Sequence, residues 1–370
     1  MYSLIKHLKS YFVFVAWCIP VFAVAQQNVH TLEINLQQSI NSFSANQNKL
    51  QGNAYGGELS YHYNVNREPK KWSSDLGIRS IDVIFNYKRM ADVTRIAAPI
   101  KGEFGDSYGL LGGLTFPLFN VSKLDVAFTP GFGILYAGQS WFSNKNPVVG
   151  SKLNFGLKAG LKASLPISNE ITLGANLDVL HYSNGGTRVP NNGLNVVSAG
   201  LSIAAALNNA VETPTPTFET ENYKKHSLDL GINLGRRGVY QSKDGLYRTG
   251  LYGGYNYRVA SYLALSAGVD AVYYHTVYDP NRILETYQSN ASSFKRWRVG
   301  TAIGPDLWMG NFSFMVKYGY YVYYDSLKPI KTYWTAGAKY KLNNWLALQS
   351  KIYIHQTEAD YVGFGLMFTK

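Results

Sequence analysis

Leu153-Asn154-Phe155-Gly156-Leu157-Lys158-Ala159-Gly160-Leu161-Lys162-Ala163-Ser164-Leu165 is the stretch whose reading decides the fold. Each odd-numbered residue is apolar, and Asn, Gly, Lys, Gly, Lys and Ser take the even positions. Successive side chains of a β-strand point to opposite faces. The stretch therefore presents one unbroken apolar face opposite a polar, glycine-containing one. Phe312, Phe314, Val316, Tyr318, Tyr320, Val322 and Tyr324 repeat the pattern against Ser313, Lys317 and Gly319. Strands of ten or more residues with this alternation are the signature of a transmembrane β-barrel, lipid outside and polar groups inside. The competing soluble β-sandwich uses strands about half as long, so length decides for an all-β, antiparallel transmembrane barrel.

Extending the pattern in both directions predicts eight strands at 31–43, 54–66, 78–90, 107–119, 123–138, 152–166, 171–183 and 194–206. Eight more are predicted at 226–235, 248–259, 261–277, 295–308, 311–325, 331–343, 345–356 and 360–369. The connections 120–122 and 168–170 are short, as periplasmic turns are, whereas 139–151 and 184–193 are long, as outer loops are. The polar connection 67–77, with Arg67, Lys70 and Lys71, is long although it falls on the inner side. Between the two sets, residues 207–225 carry Pro214, Pro216 and no alternation, which reads as a linker. Two tandem eight-stranded barrels, 26–206 and a degenerate repeat at 226–370, fit this layout. The alternative is one sixteen-stranded barrel, but a linker of this length inside one barrel would be unusual. His30-Thr31-Leu32-Glu33-Ile34 and His226-Ser227-Leu228-Asp229-Leu230 echo each other as an internal repeat would. Inward Asp82, Lys88, Asp125, Lys158, Lys162 and Asp178 are expected to plug the first lumen, since side chains fill an eight-stranded barrel.

Residues 1–25 read as a secretory signal peptide: Lys6, His7 and Lys9, then apolar 11–22, then Ala23-Val24-Ala25. Cys18, the only cysteine, lies within it, so no disulfide or thiolate site is expected in the mature chain. The net charge of +12 invites a nucleic-acid reading. However, the basic residues are scattered and no recognition helix is evident, so lumen, periplasm and anionic lipopolysaccharide are the better partners for them.

Chemistry gathers at one turn. Ile171, Leu173, Ala175, Leu177, Val179, His181 and Ser183 share the apolar face of one strand, and Asn195, Val197, Ala199 and Leu201 share that of the next. A base and a nucleophile two residues apart, beside an amide from the neighbouring strand, suit hydrolysis of a lipid ester. By strand parity, His181 and Ser183 fall at the outer rim of the barrel. In the second half, the corresponding outward positions hold Gln356 and Glu358, while His355 points inward.

The His181-Tyr182-Ser183-Asn184-Gly185-Gly186 turn resembles the motif of the lipid A 3-O-deacylases (the PagL family, related to acyloxyacyl hydrolases), which are small outer-membrane barrels. The resemblance implies His181 as general base, Ser183 as nucleophile and Asn184 as an oxyanion contributor. Where members of that family carry an orienting glutamate, this chain has Asn195. The expected function is thus an outer-membrane serine esterase that removes an acyl chain from lipid A of lipopolysaccharide in a Gram-negative outer leaflet. A non-enzymatic channel or surface barrel is the alternative. Ser–His chemistry needs no cofactor and no metal, and Arg188 is either a lipid A phosphate ligand or a solvated loop charge.

Overall fold

The computed structural model describes residues 30–44, 50–65, 70–95, 102–207, 223–282, 286, 292–327, 330–356 and 358–370. The expected signal peptide and most of the expected linker lie outside these.

Strands β1 (His30–Ser44), β2 (Leu50–Gln51), β3 (Tyr55–Asn64), β4 (Ser80–Arg95), β5 (Glu103–Val121), β6 (Leu124–Phe128), β7 (Gly131–Ala137), β8 (Leu153–Pro166), β9 (Ile171–Ser183) and β10 (Leu194–Ala206) form the first sheet. All pairings are antiparallel and run β1–β3–β4–β5, then β6 and β7, then β8–β9–β10, returning to β1. β6 and β7 are one stave of this circuit, interrupted at Thr129-Pro130, because both pair with β5 on one side and β8 on the other. The sequence pattern reads through that break; proline lacks the N–H a continuous ladder needs. The short β2 pairs with β4 alone. The connection after β3 holds a one-turn helix at Lys71–Asp75, which the sequence pattern does not signal.

Strands β11 (His226–Gly238), β12 (Gly245–Arg258), β13 (Leu263–Tyr274), β14 (Trp297–Met309), β15 (Phe312–Tyr323), β16 (Thr332–Lys341), β17 (Leu346–His355) and β18 (Glu358–Thr369) form a closed barrel, β18 pairing back to β11.

Both exteriors are apolar and both interiors polar. Leu36, Leu110, Leu157, Leu177 and Leu201 stand exposed on the first wall, and Leu230, Leu234, Val316 and Ile303 on the second. Inside the first circuit Lys158 pairs with Glu58, and Lys162 with Glu33. His62 bridges Asp82 at 2.7 Å and Glu33 at 3.2 Å. Lys88 donates to Gln37 at 2.6 Å and Ser198 at 2.9 Å. Alternation alone marks these cations as inward, but their partners Glu33 and Glu58 emerge only from the register. Asp125, expected in this plug, instead pairs with Arg79 and is partly exposed. Inside the second barrel, Lys339 bridges Asp229 at 3.0 Å and Asp306 at 2.9 Å. His355 is fully buried and shares a 2.7 Å hydrogen bond with the Tyr321 hydroxyl. A closed barrel with lipid-facing walls and a hydrogen-bonded interior is the form that outer-membrane proteins take.

The two circuits touch at both ends. Gly238 N–H donates to the Gly186 carbonyl at 2.8 Å, and Gln241 N–H to the Val189 carbonyl at 3.1 Å, on the side of the long loops. On the side of the short turns, Ser261 bonds Asp75 across them. Between these ends, the rings of Phe155 and Phe364 meet with centroids 6.3 Å apart.

Candidate active site

β9 and β10 form a hairpin whose register sets Asn195 directly opposite His181. On the other side of β9, His181 faces Leu157 and Ser183 faces Phe155. Leu157 and Leu177, on the same outer face, are about half exposed, whereas Tyr182 between the two polar residues is completely buried in the lumen. His181 and Ser183 therefore project outward from the apolar wall, within the last three residues of β9 before the long loop 184–193.

His181 Nδ1 and Asn195 Oδ1 are 2.8 Å apart. The direction of this bond follows from the other end of the amide: Asn195 Nδ2 donates to the Phe43 carbonyl at 3.3 Å. A carbonyl only accepts, so Nδ2 must face Phe43 and Oδ1 must face the ring. An amide oxygen also only accepts, so Nδ1 carries a proton, and in the neutral ring the lone pair is then on Nε2. The backbone of β1 thereby selects the tautomer that a general base needs. Gly193, with φ +75°, lets the ring lie against the returning chain; a Cβ there would stand 2.9 Å from His181 Cε1.

Ser183 Oγ accepts from Gly185 N–H at 3.2 Å and from Asn191 Nδ2 at 3.1 Å. No hydrogen bond joins it to His181 among the described residues. A rotation about χ1 of Ser183 or a closer approach in the substrate complex is required, as is common for ligand-free sites. Asn184, expected beside the oxyanion, has its side-chain amide engaged within the loop. Its amide protons go to Ser151 Oγ and the Arg188 carbonyl, both at 3.0 Å, and its oxygen accepts Gly186 N–H at 2.9 Å. A saturated, buried amide has no donor left to offer, and Asn184 ties the loop together instead. The amide that does reach the serine is that of Asn191, which strand periodicity does not single out; the Asn191-Asn192 pair closing the loop is its only trace in the sequence. Arg188 donates to the Lys243 carbonyl and stacks over the Phe142 ring at 5.6 Å.

The family model for lipid A 3-O-deacylase (PagL) matches residues 44–204, and that for the acyloxyacyl hydrolase C-terminal domain matches 226–370. The chain belongs to the PagL and acyloxyacyl hydrolase family. Its first match spans the hairpin just described, and its second spans the whole of β11–β18. It is accordingly a β-barrel of the Gram-negative outer membrane. Among solved structures, the outer membrane enzyme PagL is 17% identical with a TM-score of 0.31, over 46% of this chain and 97% of its own. Neisserial surface protein A is 11% identical with a TM-score of 0.32, over 48% and 97% respectively. No curated protein matches.

Proposed function

We propose that this family member is a serine esterase that removes an ester-linked acyl chain from lipid A in the outer leaflet. The observation that carries the reading is the His181–Asn195 contact, with its proton assigned to Nδ1, on the lipid-facing wall beside Ser183. His181 Nε2 takes the Ser183 proton as Oγ attacks the ester carbonyl. The Asn191 amide and Gly185 N–H, both beside Oγ, supply donors where negative charge develops on the carbonyl oxygen. As the tetrahedral intermediate collapses and the ester C–O bond breaks, the imidazolium protonates the departing sugar oxygen, which leaves as a hydroxyl and an acyl-serine remains. Water, deprotonated by the same nitrogen, releases the fatty acid. The acyl chain lies along Leu157 and Leu177 and never leaves the hydrocarbon. Asn195 orients the ring without the full charge that a carboxylate would set against the imidazolium, which favours a slow enzyme.

Mass spectrometry of lipid A from cells expressing the chain tests this. Lipid A lacking one acyl chain should accumulate with the native sequence and be absent with His181→Ala. Identical lipid A in both strains would remove the proposal.

A further inference from the structure

Above the hairpin, the second barrel brings its own cations to the loop that follows Ser183. Arg236, at the end of the outward row Leu230, Ile232 and Leu234 on β11, lies at the same rim as Arg188. Both guanidiniums converge on one acceptor, the Lys243 carbonyl: Arg236 through Nη2 at 2.6 Å and Arg188 through Nη1. Among the described residues, buried Arg236 Nε has no hydrogen-bond partner. Gly245, which pairs with Gly238 in the β11–β12 ladder, makes room for this side chain, since a Cβ there would overlap Arg236 Nε. Among the described residues neither arginine has a carboxylate within ion-pair distance. Asp244 is near enough to act on Arg188, but its Oδ2 accepts the Ser242 hydroxyl at 2.7 Å and it faces solvent. Burial and the like charge of Arg236 both push the Arg188 guanidinium below its usual range.

The docking of the two barrels fixes this pairing. Val362, on the outward row of β18 and opposite Arg236 in the ladder, is almost fully buried. What covers it is the turn of the first barrel: a Cβ on Gly185 would stand 2.2 Å from Val362 Cγ2. Two like charges held together, one with an N–H that lacks a partner among the described residues, at the rim of a membrane whose outer leaflet is anionic, call for a bridging anion.

We propose that Arg188 and Arg236 form a composite site for a phosphate monoester, carried by the lipid headgroup whose ester meets Ser183. The second barrel is then half of the substrate site rather than an appendage. This rests on the esterase reading above for the identity of the lipid, but not for the anion chemistry.

The test uses the whole protein in detergent micelles, with Ser183→Ala to keep the ligand intact, titrated with bisphosphorylated lipid A and with the same lipid dephosphorylated. The phosphorylated form should bind at least tenfold more tightly, as expected for charge-assisted hydrogen bonds. Arg236→Gln should erase that preference and Arg236→Lys should restore part of it, which a purely structural role would not do. A full preference retained in Arg236→Gln overturns the proposal. Competition by millimolar inorganic phosphate would mean that the free anion suffices, and its failure that the headgroup must deliver it; either result keeps the site. If native protein releases no fatty acid yet the arginine-dependent preference persists, the esterase reading falls and the anion site stands. Hydrolysis without any phosphate preference removes the anion site and leaves the esterase.

Discussion

At Asn195 one side chain performs two tasks through its two ends, gripping the Phe43 carbonyl with Nδ2 and presenting Oδ1 to His181. Removing it frees the ring to rotate and to take either tautomer. Asn195→Ala should lower kcat about 10²- to 10⁴-fold while the barrel still folds, as read by fatty-acid release and by heat-modifiable gel migration. Gly193→Ala tests the same geometry from the opposite side. A non-glycine residue in its left-handed backbone costs about 1–2 kcal/mol, and the added Cβ pushes on His181 Cε1. Displacing the base in this way should cost about 10²-fold in rate. A variant with native turnover would show that the ring does not need this position. Of these residues, His181, Ser183 and Asn195 are legible in the sequence because period two puts them on one face. The Phe43 contact is not, because a backbone carbonyl carries no signature and only the register of β1 on β10 brings it there.

The strands themselves are legible almost to the residue where alternation is uninterrupted: β9 and β10 span the expected 171–183 and 194–206. Legibility ends where polar residues lose the period, as at Lys71–Asp75, or where the period crosses a proline, as between β6 and β7. Interior partnerships are also hidden. Lys158 and Lys162 are marked as inward, but which carboxylate each meets depends on strands far apart in the chain. The Lys158–Glu58 pair is almost wholly buried. Lys158→Met removes the ion-pair partner of Glu58 and leaves its buried carboxyl to the Asn86 amide, so denaturant unfolding should show a loss of about 3–5 kcal/mol. Adding Glu58→Leu should recover most of it. If the double variant is no better than the single, the pair is not what fills the lumen.

Over the whole molecule, ion pairs and tyrosines occupy both interiors. Lys339 spans Asp229 and Asp306 in one, and Glu33, His62 and Asp82 interlock in the other. Eight-stranded barrels so filled have no continuous water path. Planar bilayers containing the protein should therefore stay silent, and large ohmic steps would contradict the closed circuits. The chemistry proposed above belongs instead to the outer wall, where the His181–Ser183 face projects outward. The most direct test is fatty acid released from purified lipopolysaccharide by native and Ser183→Ala protein, with equal amounts of folded barrel in each assay. Release by the native chain and none above background from Ser183→Ala is the predicted result. Undiminished release from Ser183→Ala would contradict the assignment of the nucleophile and, with it, the mechanism built on this hairpin.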